Sequence, residues 1–319
     1  MTSTERRAQG ALPQKDRQGR PLSFTFAMAS SLTLASFSAM PSDLFSPAPA
    51  QGPASRIRTG IGGWNFAPWR NNFYPAGLVQ RRELEFASRH LRAIEINGTY
   101  YGAQKPATYA KWASETPDGF IFSLKAPRYV TEGKRLADAG RGIDGFVYGG
   151  LAEFGDRLGP VLWQFTPSRA FDAGDLAAFL DLLPRELNGQ PMRHVLEVRH
   201  RSFLDERYVE LARSYRIPTV FTDSPQYPSL ADLTGDFAYA RLMRSESHLE
   251  SGYATADLDA WSTRAHAWAN GQDLPELPHS ATPREPQASR DVFIYFISSA
   301  KERNPAAAMA LQQRVDTAG

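Results

Sequence analysis

Six runs along this chain each end on a polar side chain with chemical use. Glu95 and Asn97 stand two apart in Ile94-Glu95-Ile96-Asn97, Lys125 closes a run that also holds Ser123, and Gln164 sits near the end of a third. Glu197 and Arg199 stand two apart in Val195-Leu196-Glu197-Val198-Arg199, Asp223 ends a fifth run, and Tyr239 and Arg241 share the phase of a sixth. Residues two apart on an extended chain share a face, so each run offers its polar groups to one side. Two carboxylates, Glu95 and Glu197, permit general acid/base work and, at the right separation, glycoside hydrolysis. Asp223 adds a third carboxylate that a divalent cation would accept. Lys125 is a Schiff-base candidate if burial lowers its pKa, though carboxylates alongside would keep it charged. Arg199 and Arg241 can each clamp a carboxylate or phosphate through paired N–H donors, with Asn97 and Gln164 as orienting groups. The competing reading is a self-satisfied plug, Glu95 with Lys125 and Glu197 with Arg241. A plug needs fewer charges than six consecutive runs supply, so the ring is read as functional.

Aromatic residues crowd the segments after the first three runs: Trp64, Trp69, Phe73, Tyr74, Tyr100, Tyr101 and Tyr129. Over a polar pocket such rings suit stacking on sugars or bases, with Trp64 and Tyr100 as the substrate-binding candidates. Packing against helices is the alternative, preferred for Trp112, Trp261 and Trp268 at helical core spacing. Other chemistries are absent. With no Cys in the chain there is no disulfide, thiolate metal site or Cys nucleophile. Of six His, no two have helical ligand spacing. His200 reads as a loop hydrogen-bonder, so no metal site and no cofactor is assigned. No nucleophile-elbow pattern supports Ser/His/Asp catalysis.

Positioning six such runs takes a regular scaffold. Strands are expected at Ile57–Gly62, Ala93–Asn97, Phe120–Lys125, Pro160–Phe165, His194–Arg199, Pro218–Asp223, Phe237–Leu242 and Asp291–Ile297. Between them apolar residues recur at helical spacing, as in Leu84, Phe86, Ala87 and Leu91, in Leu176, Phe179, Leu180 and Leu183, and in Leu258, Trp261, Ala265 and Trp268. A last helix is expected over Pro305–Val315. Strand–helix alternation implies a parallel sheet, and eight units in about 255 residues fit a single α/β (β/α)8 TIM-type barrel over 56–316. The rival, an open doubly wound sheet, would keep its first turn small for a pyrophosphate, whereas Trp64 and Phe66 follow the glycines here. In such a barrel the strands' C-terminal ends form the catalytic mouth, where all six polar ends fall. Residues 270–290 read as a flexible polar insertion.

Residues 21–40 are apolar but rich in Ser and Thr, and 41–55 form a Pro/Ala/Ser linker. The preferred reading of 1–55 is a disordered tail, or a translation start placed too early, with Met28 and Met40 as the alternative starts. A secretory signal with its apolar core at 23–37 and cleavage near Ala48 or Ala50 is the alternative. The stretch is too short and hydroxyl-rich for a membrane span, and the lack of Cys fits a reducing, cytoplasmic compartment. Residues 1–20 carry five basic and two acidic residues, which leaves the body with 31 basic and 32 acidic. That body is not the basic surface that tracks a phosphate backbone.

Several segments together resemble the YecE-like family, the domain of unknown function numbered 72. They are GGWNFAPWRNNFYPAGL (62–78), RELEFASRHLRAIEINGTYY (82–101), ETPDGFIFSLKAPRYVT (115–131), LGPVLWQF (158–165), HVLEVRHRSF (194–203) and FTDSP (221–225). The resemblance spans roughly 57–315 in order. It implies a TIM barrel without an established activity, and maps the family's polar positions onto Glu95, Asn97, Lys125, Gln164, Glu197, Arg199, Asp223 and Arg241. Three places depart from the commoner pattern: Thr131-Glu132 replaces Thr-His, Arg241-Leu242-Met243-Arg244 replaces Arg-Leu-His-Gly, and Ile297-Ser298-Ser299-Ala300 replaces an Asp/Asn-rich turn. These departures imply a subgroup with altered substrate or lost activity. The expected function is an enzyme, a hydrolase, lyase or isomerase, acting on a small polar or anionic substrate. The alternatives are a barrel that binds a sugar or anion without turnover, and a nucleic-acid binder.

Overall fold

Alternation within each strand sorts the side chains into two layers. In β1 (Ile57–Gly62) the Thr59 hydroxyl donates outward to the Ala308 carbonyl at 2.8 Å, while the inward Arg58 guanidinium lies over the Phe293 ring. The computed structural model describes residues 56–70 and 72–318, all within the unit Ser42–Gly319; the expectations for 1–55 lie outside the described residues.

The remaining strands are β2 (Ala93–Ile96), β3 (Ile121–Lys125), β4 (Leu158–Gln164), β5 (Glu186–Leu187), β6 (Gln190–Pro191), β7 (His194–Glu197), β8 (Phe221–Asp223), β9 (Phe237–Leu242) and β10 (Asp291–Phe296). Eight of them form one parallel sheet in the order β7-β4-β3-β2-β1-β10-β9-β8. Its two ends meet. A bridge joins Leu196 to Thr219, with Leu196 N–H donating to the Pro218 carbonyl at 2.9 Å and the Leu196 carbonyl accepting from Val220 N–H at 2.8 Å. The barrel is therefore an α/β (β/α)8 barrel of the TIM type, as the strand–helix spacing predicts. Strand β8 is three residues shorter at its start than expected, because Pro218–Val220 serve as the closing seam.

Outside the barrel lie helices α1 (Glu83–His90), α2 (Pro106–Ser114), α3 (Arg128–Thr131), α4 (Gly140–Val147), α5 (Ala173–Asp181), α6 (Glu206–Tyr215), α7 (Thr255–Ala269) and α8 (Asn304–Ala318). Their apolar stripes match the expected positions: Leu258, Trp261, Ala265 and Trp268 are all buried, and Phe221 packs against both tryptophans. Caps fix the entries to α5 and α6, where Asp172 and Asp205 accept N–H bonds from Asp175 and Arg207. The β5–β6 hairpin turns on Asn188 (φ 51°) and Gly189 (φ 75°). It escapes the sequence reading because two-residue strands show no periodicity. Residues 270–290 hold no helix or strand, and the Asp232 carboxylate accepts from the N–H groups of Ser280 and Ala281.

The barrel interior has its own core, built from Ala93, Leu162, Val195, Val220, Phe237, Tyr239, Phe293, Tyr295 and Ile297, separate from the larger strand–helix core. Its filling changes along the axis. The lower inward positions are apolar, whereas the upper ones are Glu95, Lys125, Gln164, Glu197, Thr222 and Arg241. The polar mouth rests on a packed aromatic floor.

Candidate functional site

The register of the strands brings the polar ends to one level. Glu95 pairs with Ser123 across β2–β3, Gln164 with Glu197 across β4–β7, Thr222 with Arg241 across β8–β9, and Arg241 with Tyr295 across β9–β10. At β1 the level is kept by glycine. A Cβ on Gly62 would lie 2.8 Å from Asn97 Nδ2 and 2.8 Å from Ile297 Cδ1, so only the missing side chain leaves room for the Asn97 amide.

Arg241 is the hub. Its Nε and Nη2 donate to the two oxygens of Glu95 at 3.1 and 3.0 Å, and its Nη1 donates to Glu197 Oε2 at 2.6 Å. Tyr239 OH donates to Glu95 Oε2 at 2.7 Å, and Gln164 Nε2 to Glu197 Oε2 at 2.7 Å. Arg199 Nε takes the remaining oxygen, Glu197 Oε1, at 2.8 Å. Glu95, Glu197 and Arg241 are almost wholly buried, so their charges persist because they satisfy one another. Burial alone would raise the Glu197 carboxyl; Arg241, then Arg199, and the bonds from Gln164 and Arg199 outweigh it and hold the pKa at about 2. Burial and the Glu95 charge push the Tyr239 hydroxyl well above its ordinary value, so it stays a donor.

Lys125 stands outside this network. Its Nζ lies 3.7 Å from the centre of the Tyr100 ring, and among the described residues no carboxylate or carbonyl accepts from it. Burial first, then repulsion from Arg241 and more weakly Arg199, brings the ammonium down to about 8 against the pull of Glu197 and Glu95. Tyr100 OH donates to Glu132 Oε1 at 2.5 Å, and burial with that bond raises the phenol to about 12. Lys125, Asn97, Tyr100 and Arg199 are half-buried and mark the solvent side of the network. Arg199 stacks its guanidinium over the Tyr227 ring at 4.1 Å, and among the described residues its two Nη groups have no acceptor.

The structure thus brings together Glu95, Asn97, Tyr100, Lys125, Gln164, Glu197, Arg199 and Arg241, with Asn97 Nδ2 donating to the Glu95 carbonyl at 3.3 Å. Two expected site residues face other partners. Asp223 accepts from Arg244 Nε at 2.6 Å, apart from the other two carboxylates. Trp64 packs edge-on against Trp112 at 5.0 Å, and Phe122 also contacts it, in the outer core. The plug pairing of Glu95 with Lys125 is not formed; Glu95 goes to Arg241 instead, whose fork matches a carboxylate bidentately. Tyr295, Tyr227, Glu132 and Arg244 are additions. Tyr295 carried a signal in its inward phase on β10, masked by its resemblance to a core aromatic; the three loop residues carried none in periodicity.

Among the described residues no group of three His, Cys, Asp or Glu could hold a metal ion, and no helix is long and apolar enough to cross a membrane. Cavities of about 370 and 450 Å³ lie at the opposite, N-terminal end of the barrel. Arg213, Arg216, Arg284 and Arg290 line the first, and Arg58 and Arg193 the second. Their size does not make them the better chemical site, because they hold no comparable ring of buried, mutually fixed groups.

Three comparisons fit this geometry. Residues 58–319 match the family described as "Protein of unknown function DUF72". The UPF0759 protein YunF of Bacillus subtilis (strain 168) is 26% identical over 166 residues, which is 50% of this chain and 56% of that protein. The chain therefore matches little more than half the length of that relative. A DUF72 family protein from Thermotoga maritima superposes with a TM-score of 0.60 at 22% identity, over 80% of this chain and 96% of that one. A second, from Enterococcus faecalis, gives 0.59 at 14% identity over 81% and 95%. Both share the barrel. The match over nearly the whole described chain places this protein in the DUF72 family.

Proposed function

We propose that the barrel mouth is the active site of an enzyme acting on a small polar anion, by lyase or isomerase chemistry in preference to hydrolysis. One observation carries the reading: of the four charged groups at its centre, only Lys125 is unpaired. Glu95 and Glu197 are saturated by guanidinium, amide and phenol donors, and with its pKa at about 2 Glu197 has no proton to give at neutral pH. That argues against a glycosidase-type pair, in which one carboxyl must stay protonated. Lys125, at about 8, has the acidity that a proton-transfer group needs near neutral pH. Arg199 offers free Nη donors as the anion clamp, Asn97 and Tyr100 border the substrate, and Gln164 and Arg241 hold the carboxylates in place. Asp223, neutralised by Arg244, is a rim group in this scheme.

The test is thermal unfolding with phosphate, sulfate and pyruvate at fixed ionic strength, for the native chain and for Arg199→Met. A ligand at 100 times its Kd adds about 2.7 kcal/mol of stability. The expected result is a rise in Tm for the native chain that Arg199→Met loses. An equal rise in both would move the anion to the arginines of the N-terminal face and refute the assignment. Turnover is then sought by mass spectrometry over keto acids and phosphorylated sugars. Loss of product with retained binding in Lys125→Arg supports catalysis; a chain that binds and never turns over any of them is a binding barrel.

A further inference from the structure

The chain holds 30 arginines and only six lysines. Where a fixed positive charge is wanted it uses arginine, as at 199 and 241; the one lysine of the mouth stands where nothing pairs with it. A guanidinium stays protonated throughout, whereas an amine can shed its proton and expose a lone pair. Around Lys125 every carboxylate oxygen of Glu95 and Glu197 is already bonded elsewhere, and the face of Tyr100 supplies a wall without an acceptor. Arg241 and Arg199 press their charges on it from the network side. The other described lysines differ. Lys105, Lys111 and Lys134 are exposed, and Lys301, whose ammonium burial also lowers, lies over Phe66 at 4.4 Å and Trp69 at 5.4 Å but beside no arginine–carboxylate network.

We infer that Lys125 is a covalent nucleophile that condenses with the carbonyl carbon of a small keto or aldehyde acid, whose anionic group rests on the free Nη donors of Arg199. The inference rests on the mouth being the anion site proposed above. The neutral Nζ attacks, a C–N bond forms, and the C=O π pair moves to oxygen. One proton passes from nitrogen to that oxygen, giving a carbinolamine. The hydroxyl then takes a proton from solvent and leaves as water while the nitrogen lone pair closes the C=N bond. Amine, carbonyl and one proton thus give a protonated iminium and water. Such an iminium draws electrons from the neighbouring carbon, which is what a lyase or isomerase needs.

The experiment uses the full chain, glyoxylate and sodium cyanoborohydride at pH 8, with lysine modification mapped by peptide mass spectrometry. Lys125 is expected to be reduced to a stable secondary amine at least about tenfold faster than the exposed lysines and faster than Lys301, since near a pKa of about 8 about half of it is neutral against well under 1% of an amine at the usual lysine value. Acetaldehyde, which lacks the anion, should show less preference for Lys125, and Arg199→Lys should reduce the glyoxylate preference. Labelling that follows exposure, with Lys125 among the slowest, would overturn the inference in the native chain without any variant. If sulfate still stabilises the native chain through Arg199 while Lys125 resists glyoxylate, the covalent step fails and the anion site survives. If neither occurs, both fail.

Discussion

Replacing Lys125 with methionine should make the protein more stable at pH 7. Holding the ammonium at about 8, against an ordinary 10.5, means that the folded state disfavours it by 2.5 pKa units. At about 1.4 kcal/mol per unit this is an upper limit of about 3 kcal/mol. The stacking of Nζ on Tyr100 works the other way, by about 0.5–2 kcal/mol. Methionine keeps the buried stem and a favourable sulfur–ring contact, so the net gain is about 1–3 kcal/mol. An unfolding entropy near 0.55 kcal/mol/K, for a domain of roughly 260 described residues, turns this into a Tm rise of about 2–5 °C. The pH dependence has a definite sign. Between pH 8 and 10.5 the unfolded chain keeps the proton that the folded one has lost, so native stability rises with pH there and the gap closes. Thermal unfolding of both proteins from pH 7 to 10.5 reads this directly. A variant less stable at pH 7, or a gap that does not change with pH, refutes the reasoning.

Other consequences follow from the same geometry. Arg241→Met strips Glu95 and Glu197 of their shared partner and should cost about 3–5 kcal/mol, lowering Tm by about 5–9 °C; the loss should be greater at pH 8 than at pH 5, where a stripped carboxyl can take up a proton. A Tm change under about 2 °C would contradict the hub role. His194 is buried, accepts from Trp163 Nε1 at 3.1 Å, and is held down to about 4 mainly by burial. Its folded pKa is depressed, so stability present above pH 6.5 is lost as pH falls, by about 2 kcal/mol at pH 5. His194→Gln should flatten that part of the denaturant-measured stability profile. Arg244→Ala, by contrast, breaks an exposed pair with Asp223 and should change stability by less than about 1 kcal/mol; a larger loss would show that the rim pair is structural.

Most of the barrel was legible because alternation and helical spacing are local properties. Ile94-Glu95-Ile96-Asn97 announces both its strand and its inward face, and the Trp261–Trp268 stripe its helix. Closure itself was expected from eight strand–helix units, but the residues of the seam were not legible, since Leu196 and Thr219 meet in a single bridge that no run of residues encodes. At the site, the list of residues was more legible than their pairing. A carboxylate on β2 can reach a lysine on β3 or an arginine on β9; the bidentate fit of Arg241 and the added phenol of Tyr239 decide for the latter. Two of the family departures acquire contacts. Glu132 takes the hydroxyl of Tyr100, whose ring lies under Lys125, and Arg244 takes Asp223 on β8; neither bonds to the buried network.

The central claim is that the mouth encloses one unpaired amine beside a fixed network of arginines and carboxylates. Trace acetylation of the native chain across pH 6–11, read peptide by peptide, gives the titration midpoint of each lysine. The Lys125 midpoint should fall near 8. A Lys125 midpoint at or above 10 would mean that its charge is paired in solution, and would contradict the account.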